Sequence, residues 1–190
     1  GAFRSSGSQP PCVRTRVRVW SRDIDIVLVT PEIAPYARFS HVGDAFAALP
    51  KALRGLGHKV TVIAPLWPSI GPAARRLARR LTRLNVEVDG QDRAFALFEG
   101  RSAGGVDLHF LSEESFFVAG AESDESSPAA ARRFGAFCRA AQQLIARRDT
   151  APDVVHLVGW QTAPLALLFA QSEGPRIPTV LSVHDVTSQG

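Results

Sequence analysis

The chain has 190 residues and a formal net charge of +4, with 45% hydrophobic and 21% charged residues. This composition is typical of a soluble globular protein and excludes a disordered or fibrous chain, and the length suits one substantial domain. Arginine carries nearly all of the positive charge, which by itself is only a weak indication of a nucleic-acid partner. The longest apolar stretch, residues 163–170, is far shorter than the roughly 20 residues that cross a membrane.

The first 22 residues are basic and precede the first predicted strand. They are rich in Arg and Ser and lack an apolar signal core, so a secretory peptide is not indicated, whereas a transit-like leader and a disordered tail both stay open. Cys12 and Cys138 lie far apart and show none of the spacings of a zinc site or a disulfide framework. We therefore expect a domain over residues 23–190, in a reducing cytoplasm, with no metal or other cofactor.

The next segments alternate between strand and helix patterns. Residues 24–30 form an apolar run rich in β-branched side chains, which predicts a buried parallel strand. Apolar residues then recur at spacings of three and four from Phe46 to Leu56, which predicts a helix that Pro50 either kinks or divides. Residues 58–65 read as a second strand. This strand, helix, strand order predicts an α/β fold with a mostly parallel central sheet.

The rest of the chain continues the pattern with one excursion. Residues 73–84, with leucines at intervals and arginines between them, predict a solvated amphipathic helix or, less favoured, an anion-binding patch. Three short strand-like segments follow up to residue 112, and we expect them at a sheet edge. A strong helix over 129–148 precedes two core strands, 152–159 and 177–185, with a helix over 160–174 between them.

In open α/β sheets, ligands bind outside the carboxyl ends of the strands. This rule selects three loops of the chain, at residues 31–44, 156–162 and 184–190. Residues that carry chemistry are therefore expected in these loops.

Three blocks in and around these loops resemble a known family. Residues 29–70 ("VTPEIAPYARFSHVGDAFAALPKALRGLGHKVTVIAPLWPSI"), 152–170 ("PDVVHLVGWQTAPLALLFA") and 178–190 ("PTVLSVHDVTSQG") look like successive landmarks of the amino-terminal domain of bacterial glycogen synthases and plant starch synthases. The resemblance implies a Rossmann-like three-layer sandwich, one of the two such domains of a retaining glucosyltransferase. That family moves glucose from ADP-glucose to the non-reducing end of an α-1,4-glucan without a required metal.

The resemblance also implies that this chain is only half of the enzyme. The family's active site lies in the cleft between the two domains, and the carboxyl-terminal domain makes most contacts to the nucleotide. That domain is absent from residues 23–190. We therefore expect the chain alone to be inactive.

The first loop departs from the family pattern at its glycines. The pattern Lys, any residue, Gly, Gly, Leu, Gly, Asp falls on residues 38–44, with Arg38 in place of Lys and with Ser40 and His41 in place of glycines. By the match, Arg38 would contact the diphosphate, Gly43 would let the backbone approach it, and Asp44 would hold a sugar hydroxyl. Asp44 is equally an ordinary acid at a helix start. Side chains at 40 and 41 would resist positive φ and fill ligand space.

The second loop departs further. The family's His, any residue, His, Asp, Trp falls on residues 156–160, where Val158 replaces the His expected to touch the transferred glucose and Gly159 replaces the Asp. Trp160 and Gln161 would line a glucan channel, although Trp160 suits a core anchor as well. His156, inside an apolar strand, is more simply a core histidine.

The remaining candidates come from the third loop and from the first strand's end. His184 matches a histidine of the family and is our second catalytic candidate with Asp44, and Gln189 matches a substrate-binding glutamine. Glu32 is a candidate for shaping the acceptor side.

The leading interpretation is the acceptor-side domain of a glycogen or starch synthase, as a fragment or as a divergent member, with no nucleic-acid or membrane partner. The alternative is a non-catalytic glucan-binding or regulatory module that has kept the fold. A third and weaker possibility is an anion or nucleic-acid binder that uses an arginine helix over residues 75–83.

Overall fold

The computed structural model describes residues 22–124, 127–173 and 176–184. The strands are β1 (Asp25–Val29), β2 (Lys59–Pro65), β3 (Ala78–Val88), β4 (Gln91–Arg101), β5 (Asp107–Ser112), β6 (Val154–Val158) and β7 (Thr179–Ser182). The helices are α1 (His41–Gly55), α2 (Pro128–Ala146) and α3 (Pro164–Gln171), and two 3₁₀ segments cover Pro68–Arg76 and Ala121–Ser123.

The strands form one seven-stranded sheet in the order β3-β4-β5-β2-β1-β6-β7. Every pair from β5 through β2, β1 and β6 to β7 is parallel, and only the pairs β3-β4 and β4-β5 are antiparallel. The sheet is therefore mostly parallel, with an antiparallel extension at one edge. This confirms the predicted α/β fold and the predicted strands at a sheet edge.

Side-chain alternation along β1 builds a core on each face of the sheet. Leu28 packs with Phe46 of α1 in one apolar cluster, called the α1-side cluster below. Val27 and Val29 pack with Phe137 of α2 in another, the α2-side cluster. All three β1 side chains are fully buried, because successive residues of a strand point to opposite faces and helices cover both. The result is the expected three-layer arrangement of helix, sheet and helix.

The prediction of an amphipathic helix over residues 73–84 is wrong. A 3₁₀ segment ends at Arg76, and β3 begins at Ala78. The three leucines that suggested a helical face lie in three environments: Leu77 packs against the α1-side cluster, Leu84 is buried in the α2-side cluster, and Leu81 is fully exposed. Spacing alone could not distinguish a helix face from an irregular edge strand here.

Pairing with β4 explains why this segment is a strand. The turn between β3 and β4 contains Asp89 and Gly90, both at positive φ, which is the backbone that a tight hairpin needs. The ladder is interrupted between Arg79 and Arg83, and Leu81 lies in this interruption. Because there is no arginine helix, the suggestion of an anion site on that helix loses its basis.

The helices also differ in detail from expectation. The helix α1 is continuous from His41 to Gly55, so Pro50 does not start a second segment. The helix α3 begins at Pro164, later than predicted, because residues 160–163 form a turn after β6. Within the described ranges, no helix combines the length and the apolar character needed to cross a lipid bilayer.

Candidate active site

A small cavity of about 100 Å³ opens where β1 and β6 end. Four of the predicted site residues, Glu32, Trp160, Gln161 and His184, line this cavity together. The other lining residues are Pro31, Ser40, His41, Val42, Val158 and Gly159. The structure thus brings parts of all three predicted loops together at the carboxyl edge of the parallel strands.

The carboxylate of Glu32 fastens the first loop. It is 5% exposed and accepts hydrogen bonds from the backbone N–H groups of Phe39 and Ser40, at 2.5 and 3.0 Å. The hydroxyl of Ser40 donates a third bond to the other carboxylate oxygen. An acceptor-only group thus satisfies three donors of the turn that leads into α1. Glu32 therefore holds the loop as well as lining the cavity.

Ser40 fits its position without strain. Its φ is −140° and its ψ is −179°, which is extended backbone, and its hydroxyl oxygen accepts a hydrogen bond from the N–H of Val42 as the N-cap of α1. The expected conflict between a side chain at residue 40 and positive φ is therefore absent. Its neighbour His41 begins the helix and is exposed at the cavity.

Gly43 lies beneath the loop and does not line the cavity. A Cβ atom at residue 43 would lie 2.9 Å from Oε2 of Glu32 and 3.3 Å from the backbone oxygen of Ala37. Glycine is required here because the carboxylate packs directly on the first turn of the helix. Its observed role is thus close packing against another part of the protein.

Arg38 and Asp44 pair with each other. Nε of Arg38 donates a hydrogen bond to Oδ2 of Asp44 at 2.9 Å. A second guanidinium nitrogen, Nη2, lies 2.7 Å from the same oxygen. Their side chains are 68% and 50% exposed, and neither residue lines the cavity. Both predicted site residues therefore lie beside the cavity as a solvated ion pair.

The second loop is held by Thr162. The N–H of Val158 donates to its hydroxyl oxygen at 2.7 Å, and the hydroxyl donates to the carbonyl oxygen of Val158 at 3.0 Å. Gly159 has a φ of +71°, and a Cβ atom there would lie 2.5 Å from Oε1 of Gln161. Val158 lines the cavity, but its apolar side chain is buried in the α1-side cluster and offers no hydrogen-bonding group.

Trp160 combines both roles that its sequence position suggested. Its ring packs edge to face on Phe134 of α2, with centroids 5.6 Å apart, and it also lines the cavity. The residue thus anchors the loop on the core while presenting part of its surface at the site.

The two histidines near β6 and β7 differ in position. His156 does not line the cavity; its Nε2 lies 2.7 Å from the hydroxyl oxygen of Ser182, and its ring packs against Phe46. Burial, and secondarily the nearby His184, lowers the pKa of His156 below its ordinary value. His184 is exposed, packs edge to face on Phe46 at 5.1 Å and lines the cavity. The interpretation of His156 as a structural histidine agrees with this geometry.

Several supporting residues were not found from the sequence. Thr30 is fully buried, and its hydroxyl donates to the carbonyl oxygen of Glu32 at 2.7 Å. The indole N–H of Trp67 donates to the carbonyl oxygen of Pro31 at 2.9 Å. Hydroxyl and indole groups near strand ends are common, so only the three-dimensional contacts reveal these roles. Gln189, the remaining predicted site residue, lies outside the described residues.

The lining defines the chemistry that the cavity can support. It offers a carboxylate, a carboxamide, a hydroxyl and imidazoles, and none of the described residues that line it is a lysine or an arginine. Such groups hydrogen-bond hydroxyl-rich ligands, whereas a diphosphate would need more positive charge. Within the described part of the chain, no group of three His, Cys, Asp or Glu side chains is placed to hold a metal ion.

Comparison with known proteins gives one consistent result. The family model of the starch synthase catalytic domain matches residues 25–190. Glycogen synthase 2 of Geobacter sulfurreducens is 33% identical over 174 residues, which cover 87% of this chain and 36% of that protein. Glycogen synthase of Moorella thermoacetica is 29% identical over 177 residues, with 90% and 35% covered.

A solved structure agrees with these relatives. The catalytic domain of starch synthase IV from Arabidopsis thaliana, bound to ADP and acarbose, superposes with a TM-score of 0.78 at 26% identity. The match covers 88% of this chain and 35% of that one. The chain thus spans about 36% of the length of the first relatives that it matches.

Proposed function

The chain belongs to the family of starch synthase catalytic domains, and we propose that it forms the amino-terminal, acceptor-side half of a glucosyltransferase active site. The reaction is the transfer of glucose from ADP-glucose to the non-reducing end of an α-1,4-glucan, with retention at the anomeric carbon and without a metal. The observation that carries the proposal is the cavity where Glu32, Trp160, Gln161 and His184 meet. Its carboxylate, carboxamide, hydroxyl and imidazole groups suit the hydroxyls of a sugar. The Arabidopsis relative was solved with ADP and acarbose.

Each site residue has a proposed role. Asp44 and His184 contact the reacting sugar, and Trp160 and Gln161 bind the glucan, with Trp160 supplying an apolar ring face. Arg38 turns from Asp44 to the diphosphate when the nucleotide sugar is present. Glu32 holds the first loop and shapes the acceptor side. From the family pattern alone, Gly43 lets the backbone approach the diphosphate, and Gln189 binds substrate.

The domain cannot complete this chemistry alone. Retaining transfer depends on positioning and on electrostatic stabilisation of the departing diphosphate, which requires groups on both sides of a cleft. Among the described residues, no lysine or arginine lines the cavity, so in this proposal most of the stabilisation comes from a second, nucleotide-binding domain outside residues 23–190. We propose that the reaction takes place in the cytoplasm.

One observation favours a second candidate function. The buried side chain of Val158 and the neighbouring Gly159 leave the second loop without the His and Asp of the family pattern. A domain with this loop would still bind glucan through Trp160 and Gln161 while supporting no transfer. The alternative is therefore a non-catalytic glucan-binding or regulatory module.

Binding is tested by isothermal titration calorimetry of the chain with maltoheptaose and, separately, with ADP-glucose. We expect maltoheptaose to bind and ADP-glucose to bind much more weakly. Gln161→Ala should weaken maltoheptaose binding, while Gln171→Ala, an exposed change at the end of α3, should leave it unchanged. Absence of glucan binding by the unaltered chain would refute both candidate functions.

A chimera separates the two candidates. Residues 23–190 would replace the matching amino-terminal segment of Geobacter sulfurreducens glycogen synthase 2, and transfer of labelled glucose to glycogen would be measured. Activity of the chimera supports the first candidate. A folded, glucan-binding chimera that is inactive until Val158→His and Gly159→Asp are introduced supports the second.

A further inference from the structure

A second and larger groove, of about 440 Å³, lies between α1 and the β3-β4 hairpin. It shares no lining residue with the cavity described above. Its walls come from the loop after β1, one side of α1, the segment just before β3, the end of β4, the turn between β4 and β5, and the start of β5. The lining residues are Ile33, Ala34, Pro35, Tyr36, Ala47, Pro50, Lys51, Arg76, Leu77, Gly100, Arg101, Ser102, Ala103, Gly104, Val106 and Leu108.

The groove has a one-sided charge. Lys51, Arg76 and Arg101 line it, and no Asp or Glu of the described ranges does. Arg101 pairs with Asp107 at 2.8 Å, whereas Lys51 and Arg76 form no ion pair within the described part of the chain. A concave surface lined by one sign of charge concentrates ligands of the opposite sign.

Most of the other lining residues are apolar or aromatic. Val106 and Leu108 are buried, and Tyr36 packs on Phe110 with ring centroids 5.1 Å apart. A ligand that fits must therefore carry a compact body beside its negative charge. The volume of the groove lies within the range of about 300–1,000 Å³ that is usual for small-molecule sites.

Hydrogen bonds hold the turn that forms one wall. Ser102 and Val106 are joined by a backbone hydrogen bond of 2.9 Å, and the N–H of Gly105 donates to the carbonyl oxygen of Ser102 at 2.9 Å. Nε of Arg54, on α1, donates to the carbonyl oxygen of Gly105 at 3.1 Å. The two sides of the groove are thus tied together, so a ligand meets a preformed surface.

We propose that this groove binds a phosphorylated sugar, with the phosphoryl group between Lys51 and Arg76 and the sugar body against Tyr36. An ammonium and a guanidinium both donate charge-assisted hydrogen bonds to phosphate oxygens, and an aromatic ring is a suitable apolar surface for a sugar. The proposal does not depend on the proposed glucosyltransfer, because none of these residues lines the candidate active site.

Titration calorimetry with ribose 5-phosphate, ribose and inorganic phosphate tests the proposal. We expect ribose 5-phosphate to bind more tightly than inorganic phosphate and ribose not to bind. Equal affinity for ribose 5-phosphate and inorganic phosphate would overturn the assignment of a sugar body. Absence of binding by ribose 5-phosphate would overturn the site.

Matched variants locate the binding. The double variant Lys51→Gln/Arg76→Gln should weaken ribose 5-phosphate binding at least about tenfold, because it removes two charge-assisted contacts. Arg139→Gln/Arg176→Gln removes the same charge from exposed positions elsewhere and should leave the affinity unchanged. Equal weakening by both variants would show a net-charge effect only and would overturn the proposal.

A third variant tests the groove without changing its charge. Ala103 is exposed and lines the groove, so Ala103→Trp should fill part of it and weaken binding at least about tenfold. Circular dichroism and the melting temperature establish that each variant is folded. Unchanged affinity in a folded Ala103→Trp variant would overturn the location.

Discussion

The carboxylate of Glu32 accepts hydrogen bonds from both the backbone N–H and the hydroxyl of Ser40. This relationship joins the end of the first strand to the start of the first helix across eight positions of sequence. It fixes the loop on one side of the candidate active site before any ligand arrives. The loop is therefore organised by an internal carboxylate.

Removing this carboxylate should destabilise the domain. In Glu32→Ala, the N–H groups of Phe39 and Ser40 lose a charged acceptor in a nearly buried position, so we expect the free energy of unfolding to fall by about 2–4 kcal/mol. Urea unfolding followed by circular dichroism measures the change. Glu114→Ala removes an exposed carboxylate and should change it by less than about 0.5 kcal/mol. Similar effects of the two substitutions would contradict this account of the loop.

Two glycine substitutions should act in opposite directions. Gly43→Ala would place a Cβ atom 2.9 Å from Oε2 of Glu32, so we expect a loss of about 1–3 kcal/mol in the free energy of unfolding. Gly135 lies within α2, where an added Cβ meets no atom within 4 Å, so Gly135→Ala should gain about 0.5–1 kcal/mol. Thermal and urea unfolding of both variants measure these changes. A stabilised Gly43→Ala variant would show that the carboxylate is not packed on the helix.

Asp44→Asn separates stability from function. The ion pair between Arg38 and Asp44 is exposed, and such pairs contribute only about 0–1 kcal/mol. If Asp44 holds a sugar hydroxyl, the substitution should weaken glucan binding or transfer by the chimera about ten- to a hundredfold, the value of a charged hydrogen bond. Calorimetry and the transfer assay measure the ligand effect, and urea unfolding measures stability. An unchanged ligand affinity and rate would remove Asp44 from the site.

Stability should fall as the pH decreases below about 7. Burial lowers the pKa of His156 and of His109 below the value of about 6.5 that histidine has in an unfolded chain. Between these values the unfolded chain binds more protons than the folded one, so the free energy of unfolding decreases as the pH falls through this window. The full stability is present at higher pH, where both states carry neutral imidazole.

The contribution of His156 is measurable separately. His156→Gln should make the dependence of unfolding free energy on pH shallower below about pH 7, while His109 maintains part of this dependence. Urea unfolding at a series of pH values tests this, and the difference at pH 8 gives the pH-independent cost of losing the contact with Ser182. An unchanged slope would mean that His156 titrates alike in both states.

Cys138 should be chemically inert in the folded domain. Its side chain is fully buried, and burial raises the pKa of its thiol to about 12, so almost no thiolate is present at pH 8. In a Cys12→Ser variant, we expect iodoacetamide to label Cys138 only in denaturant, as measured by mass spectrometry. Rapid labelling under native conditions would indicate that α2 opens from the sheet.

The parallel part of the fold was predictable because its signals are local. Residues 24–30 are mostly apolar and rich in β-branched side chains, which is the pattern typical of a strand buried on both faces. The position of the site followed from the same reasoning, since the carboxyl ends of parallel strands meet at one edge. Both inferences depend on repeating features of sequence.

The first part of the edge strand β3, residues 78–84, was not predictable from its own residues. Leu77, Leu81 and Leu84 have helical spacing, yet pairing with β4 decides their conformation, and the pairing places Leu84 in the core and Leu81 in solvent. A strand gains its hydrogen bonds from a partner that lies elsewhere in the chain. Local spacing carries no information about that partner.

The sequence by itself determined the α/β class, the order of the central elements, the three loops that meet at the cavity and the family resemblance. Only the tertiary structure decided that Glu32 fastens Ser40, that Arg38 pairs with Asp44 beside the cavity and that Val158 turns into the core. Periodic burial is encoded in neighbouring residues, whereas a hydrogen bond between loops depends on where packing brings distant atoms together.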